Sequence, residues 1–122
     1  VTTIRNIMGT GGSALAAQAQ LGYLSNNLTS TGTSSQANAL ILPSDLCVFT
    51  TVALNSGAIL PTGSPGDIYE IANHGANPLL VYPPVGGTIS TGGVNASFSV
   101  PVGKLATFVC LSGQGYAASV SA

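Results

Sequence analysis

From residue 37 onward, short apolar runs alternate with turn-forming residues. The runs cover 39–42, 47–54, 67–73, 78–82, 97–100, 105–111 and 116–120. Between them lie Pro43 and Asp45, Asn55 and Gly57, the stretch 61–66, His74 to Asn77, 83–93, Pro101 to Gly103, and 112–115. Each break carries Gly, Pro, Asn or Asp, which take up turn dihedrals at little cost. Short strands at intervals of about 8–12 residues, with no helical period between them, predict an all-β domain. The expected form is an antiparallel β-sandwich, jelly-roll-like, over residues 37–122. In 67–73, Ile68, Glu70 and Ala72 point one way and Asp67, Tyr69, Ile71 and Asn73 the other. Both faces mix apolar and polar residues, so this strand is expected to carry a contact surface outside the core.

Residues 1–36 lack that alternation. A glycine cluster at Gly9, Gly11 and Gly12 is followed by an Ala/Gln/Leu stretch and then a polar tract from Ser25 to Gln36. Leu21, Leu24 and Leu28 fall at helical spacing and Ser13 could cap the start, although Gly22 weakens the helix. The segment reads as an N-terminal arm, extended or partly helical, ordered mainly by what it touches.

Charge changes the picture more than any motif. Only Arg5, Asp45, Asp67, Glu70 and Lys104 are formally charged, 4% of 122 residues, and the net charge is −1. Soluble monomers usually place charge on about 25–35% of their surface. So little mutual repulsion favours association, and much of this surface is expected to lie against copies of itself or a larger assembly. The alternative is an uncharged Ser/Thr/Asn coat on a monomer. Two cations are too few to neutralise a run of phosphates or to form a polybasic membrane patch, so neither nucleic acid nor membrane is an expected partner. The chain shows neither an apolar run of spanning length nor a signal-peptide pattern.

The candidate chemistry is sparse. Cys47 and Cys110 sit in apolar runs without a CxxC pair or a Cys/His cluster, and are expected as buried, reduced thiols. The alternative is a bridge between two strands, which would need Cα atoms within about 7 Å. Gly9-Thr10-Gly11-Gly12-Ser13-Ala14 matches a G-x-G-x-x-A pattern, but the next acid is Asp45 and no βαβ unit follows. A triad would have to join His74, the only histidine, to Asp45 or Asp67, and no G-x-S-x-G elbow is present. Asp67 and Glu70 point to opposite faces of one strand and do not pair. Asn27 and Asn95 head formal N-x-[ST] sequons, expected to be chance matches. Tyr23, Tyr69, Tyr82 and Tyr116 could stack sugars but fit half-buried strand edges. With no activated nucleophile, metal cluster or phosphate cradle, the expectation is a non-enzyme without catalytic, metal or cofactor-binding residues.

One block is more distinctive. Gly66-Asp67, Asn73-His74-Gly75-Ala76-Asn77, Val81-Tyr82-Pro83-Pro84, Gly86-Gly87 and Ile89 form a GD…NxGAN…VYPPxGGxI pattern, followed by Gly103-Lys104, Ala106 and Phe108. Read physically, 73–77 is a hairpin connection with Gly75 available for positive φ. Pro83 and Pro84 cannot donate to a ladder, so they force the chain out of the sheet. The pattern, spanning about residues 28–120, resembles a family of small tailed-bacteriophage structural proteins. Tyr116 departs from it, since a tryptophan is expected near the C-terminus. The resemblance implies a virion protein made in the host cytoplasm. Taken with the low charge, it implies a capsid decoration (cement) protein on the outer shell surface. The major capsid protein would be its partner, and it would self-associate, with a homotrimer favoured by the threefold positions of shells. The alternatives are a head-fibre or tail-fibre tip contacting host glycans, and a bacterial β adhesin.

Overall fold

The computed structural model describes residues 24–121. Ten strands form there: β1 (Leu24–Thr29), β2 (Leu40–Ile41), β3 (Leu46–Thr51), β4 (Gly57–Ile59), β5 (Ile68–Asn73), β6 (Leu79–Tyr82), β7 (Thr88–Ile89), β8 (Phe98–Val100), β9 (Leu105–Ser112) and β10 (Gly115–Val120). The described residues contain no helix. The larger sheet has the order β1-β3-β5-β9-β10-β7 and the smaller one β2-β4-β6-β8.

The all-β expectation stands, but the antiparallel jelly-roll sandwich does not. Each of the first six strands is followed by one in the opposite sheet. Strands of one sheet therefore lie two elements apart and run parallel: β1 with β3, β3 with β5, β2 with β4, and β4 with β6. This is a β-solenoid. Leu24 lies beside Leu46 and Leu46 beside Glu70, so each coil takes about two dozen residues. Among the described strands the direction reverses toward the C-terminal end, where β8 pairs antiparallel with β6, and β9 with both β5 and β10; outside the strands Thr31 makes one antiparallel bridge to Gly57. Evenly spaced turns serve a corner between sheets as well as a hairpin within one, and strand spacing alone does not separate the two.

The 73–77 connection shows the difference. It joins β5 of the larger sheet to β6 of the smaller, so it is a corner and not the expected hairpin. Asn73, wholly buried, holds it: Nδ2 donates to the Asn77 and Val100 carbonyls, both at 2.9 Å, and Oδ1 accepts from Gly75 N. Gly75 is not among the residues with positive φ. Its lack of a side chain instead admits Val52, since a Cβ there would sit 2.6 Å from Val52 Cβ. A close approach, rather than a left-handed turn, requires this glycine. Pro83 and Pro84 are both buried and follow the last residue of β6, and Gly86 turns the chain at φ 86°.

Of the expected arm, residues 1–23 lie outside the described residues, including Arg5, the glycine cluster and Tyr23. Residues 24–36 belong to the solenoid. Leu24 and Leu28, expected at helical spacing, are in β1, which pairs with β3. The register of β1 shifts around Leu28, and Asn27 takes φ 56°. That irregularity hid the strand behind two asparagines. Between the sheets lies one core containing Phe49, Ile71 and Phe108 from the larger sheet and Leu79, Val81 and Val100 from the smaller, all unexposed. Phe98 meets Phe108 edge to face, centroids 5.7 Å apart, an arrangement favoured by ring quadrupoles.

Candidate functional site

The larger sheet buries one face and exposes the other. Cys47, Phe49, Ile71, Asn73, Ala106, Phe108 and Cys110 alternate with residues on the outside. That outer face is far from polar. Leu24 is 61% exposed, Ile68 51% and Leu111 63%, and Leu46 and Leu105 are also exposed. Half-buried Val48, Ala72 and Val109 fill the space among them. Register aligns Val48, Ala72 and Leu105 into one apolar row and Ile68, Val109 and Ala117 into another. Between the rows runs a more polar line, in which Leu24 and Leu46 lead to Glu70, Thr107 and Ser119. Glu70 is the one charged residue among these outward positions. Scattered surface leucines need no explanation, but two apolar rows on one exposed sheet face, parted by a single more polar line, are characteristic of an interaction surface. The mixed character of both faces of 67–73 led to the expectation of a contact surface on this strand, without saying which face; the structure turns Ile68, Glu70 and Ala72 outward. Leu46, Leu105 and Leu111 were missed because isolated strands read as core on both faces.

A second cluster gathers at the corner where β3 and β5 begin. Tyr116 is buried and donates its hydroxyl proton to the Pro61 carbonyl at 2.6 Å. Gly63 packs beside it, so close that a Cβ would lie 2.9 Å from the Tyr116 hydroxyl, 3.1 Å from Asp67 Oδ2 and 3.2 Å from Cys110 Sγ. Asp67 Oδ2 accepts from Ser64 N at 2.9 Å, and the Cys110 thiol donates to the Ser112 carbonyl at 2.9 Å. Tyr69 leans on Tyr116 with ring centroids 6.1 Å apart. Burial pushes the Tyr116 phenol far above the ordinary tyrosine range, and neighbouring Cys110, Tyr69 and Asp67 add to it. Burial also raises Tyr69, with Asp45 and Asp67 reinforcing the shift, and raises Asp45, with Asp67 adding. These groups close the end of the core.

Raised phenols predict an alkaline limit. Unfolded tyrosine ionises near pH 10, whereas folded Tyr116 and Tyr69 hold their protons beyond it. The unfolded state sheds protons first, so stability is complete below about pH 10 and falls as pH rises toward the folded values. Tyr116→Phe is expected to cost about 1 kcal/mol at neutral pH through the lost bond to Pro61, and to flatten the alkaline decline. Urea unfolding at about pH 8 and about pH 11 checks this. Equal declines in both proteins would remove Tyr116 as the cause.

The remaining candidates are held apart. Parallel β3 and β5 put Asp45 and Asp67 at one end and His74 at the other, separated by a six-residue strand, about 20 Å. No triad forms from them. Cys47 and Cys110 are buried and unbridged. They lie on β3 and β9, which flank β5, so two strand spacings part them by about 9.6 Å or more, beyond disulfide reach. Burial raises the Cys47 thiol, which donates to the Ser44 carbonyl. Asn95 staples loops: its Oδ1 accepts from Gly86 N at 2.6 Å and from Gln36 Nε2 at 3.2 Å. Among the described residues no three His, Cys, Asp or Glu side chains gather in a metal-holding group. Compared with protein-family models, curated proteins and solved structures, the chain matches none.

Proposed function

We propose that this protein is a structural component of a tailed-bacteriophage virion, a capsid decoration protein that binds the outer surface of the shell and braces neighbouring major capsid proteins. The observation that carries the reading is the apolar outer face of the larger sheet, which leaves Leu24, Ile68 and Leu111 in water unless a partner covers them. Covering such a face removes apolar surface from water at about 25 cal/mol per Å² and encounters almost no charge to desolvate. The virion setting rests on the resemblance of the GD…VYPPxGGxI block. In a repeated shell, one weak contact per copy adds up, because release demands that many contacts break together.

The test is binding to expanded capsids stripped of accessory proteins. Purified protein should pellet with them at saturating stoichiometry of hundreds of copies per particle. Saturation at a few copies would favour a fibre component, and no binding at all would sink the reading. Ile68→Lys should abolish pelleting, while Ile41→Lys, at an exposed position on β2 of the smaller sheet, should not.

A further inference from the structure

We infer that the outer face of the larger sheet is a self-pairing surface, through which two copies of this chain associate face to face about a two-fold axis along the β5–β9 seam. The inference rests on the functional reading above only in taking that face to be a covered one: off the shell a second copy covers it, and the pair opens when the face meets the shell. β5 and β9 are the third and fourth strands of six, so their seam is the middle of the sheet. Their register couples Ile68 with Val109, Glu70 with Thr107, and Ala72 with Leu105. A two-fold axis along the seam lays each residue over the registered mate of its opposite number. Leu105 of one copy then covers Ala72 of the other, large against small. Ile68 covers Val109, apolar against apolar. Glu70 faces Thr107, whose hydroxyl can donate to the carboxylate. Each contact occurs twice, as an isologous interface requires, and the pair closes on itself without growing into a filament.

The size fits a weak pair. Six strands of about six residues present about 550 Å² per copy and about 1,100 Å² in all, just above the roughly 1,000 Å² that a specific interface needs. Two apolar sheet faces pack about 10 Å apart, the ordinary way for a β-sheet to cover its surface. Glu70 is the one charge on this face, and the axis sets it across the seam from its own copy; apart from that pair no like charges oppose two identical faces.

Sedimentation velocity of the full chain from about 1 to 300 µM should show a monomer–dimer equilibrium centred in the micromolar range. Ile68→Lys should shift it at least about tenfold toward monomer, a loss of about 1.4 kcal/mol, while thermal unfolding shows the fold retained. A second measurement does not depend on that variant. Mixed Ile68→Cys and Val109→Cys proteins should form a disulfide-linked heterodimer under mild oxidation, faster than either protein alone, with Cys47 and Cys110 staying unreactive. A monomer at every concentration, a trimer, or an association that Ile68→Lys leaves unchanged would overturn the pairing. Capsid pelleting separates this from the functional reading. Shell binding by a monomer that Ile68→Lys destroys would give the face to the shell and sink the pairing alone. A dimer that ignores capsids would sink the functional reading alone.

Discussion

Asn73→Ala should lower the unfolding free energy by about 3–4 kcal/mol, among the larger effects of any single change in this chain. The side chain is unexposed and uses both ends. Its amide nitrogen holds the carbonyls of Asn77 and Val100, and its oxygen holds the Gly75 amide. Truncation leaves three polar groups at an interior corner without their partner, each costing about 1–3 kcal/mol less whatever water can recover. The corner also sets the step from one sheet to the other, so the loss should propagate into β6. Chemical denaturation measures the change as a lower midpoint. Asn73→Asp sharpens the test. It keeps an acceptor for Gly75 but turns a carboxylate toward two carbonyls, so it should be at least as damaging at neutral pH. Burial raises that carboxyl's folded pKa, so the penalty should shrink as pH falls and the group protonates into a donor. An Asp variant as stable as wild type at neutral pH would show that the corner is not built on these bonds.

Phe108→Ala is expected to cost about 3–5 kcal/mol, the usual range for emptying a buried aromatic site. Phe108 is unexposed, sits mid-strand in β9 beside the central strand β5, and meets the edge of Phe98 across the core. The void would open between the two sheets, where neither can move inward without shearing its ladder. The melting temperature should fall by about 12 °C or more. Phe98 is only partly buried, so Phe98→Ala should cost less. The double variant should show a coupling of about 0.5–1.5 kcal/mol beyond the two separate losses. Additive losses would mean that the two rings merely share a compartment.

The strands themselves were largely legible. Seven of them announce their apolar runs, and the turn residues punctuate them where the chain in fact bends. Three were not. β1 carries two asparagines and an irregular register, β4 begins on Gly57 inside an apparent turn, and β7 is two residues long. The topology was hidden for a different reason. Strand pairing is decided by which corner side chains steer the chain across to the other sheet, and Asn73 looks the same in sequence whether it tips a hairpin or locks a corner. Gly75 was assigned the wrong task because a close approach to Val52 depends on a residue more than twenty positions away. The contact face was half visible, in the mixed character of 67–73. Its extension to Leu46, Leu105 and Leu111 follows only from strands distant in sequence becoming neighbours.

The pairing pattern also determines the order in which the fold can be assembled. Among the described strands, β9 and β10 are the only partners adjacent in sequence. Every other ladder waits on a loop closure of many residues before it returns any stabilisation, which slows folding and raises its entropic barrier. During synthesis the parallel coils emerge first, and the free edge of β5 has no partner until Leu105–Ser112 has left the ribosome. An unpaired parallel edge next to an apolar sheet face is a template for joining the wrong chain. The last hairpin is therefore the strand pair that covers the edge of β5 and ends that edge's exposure to other nascent copies.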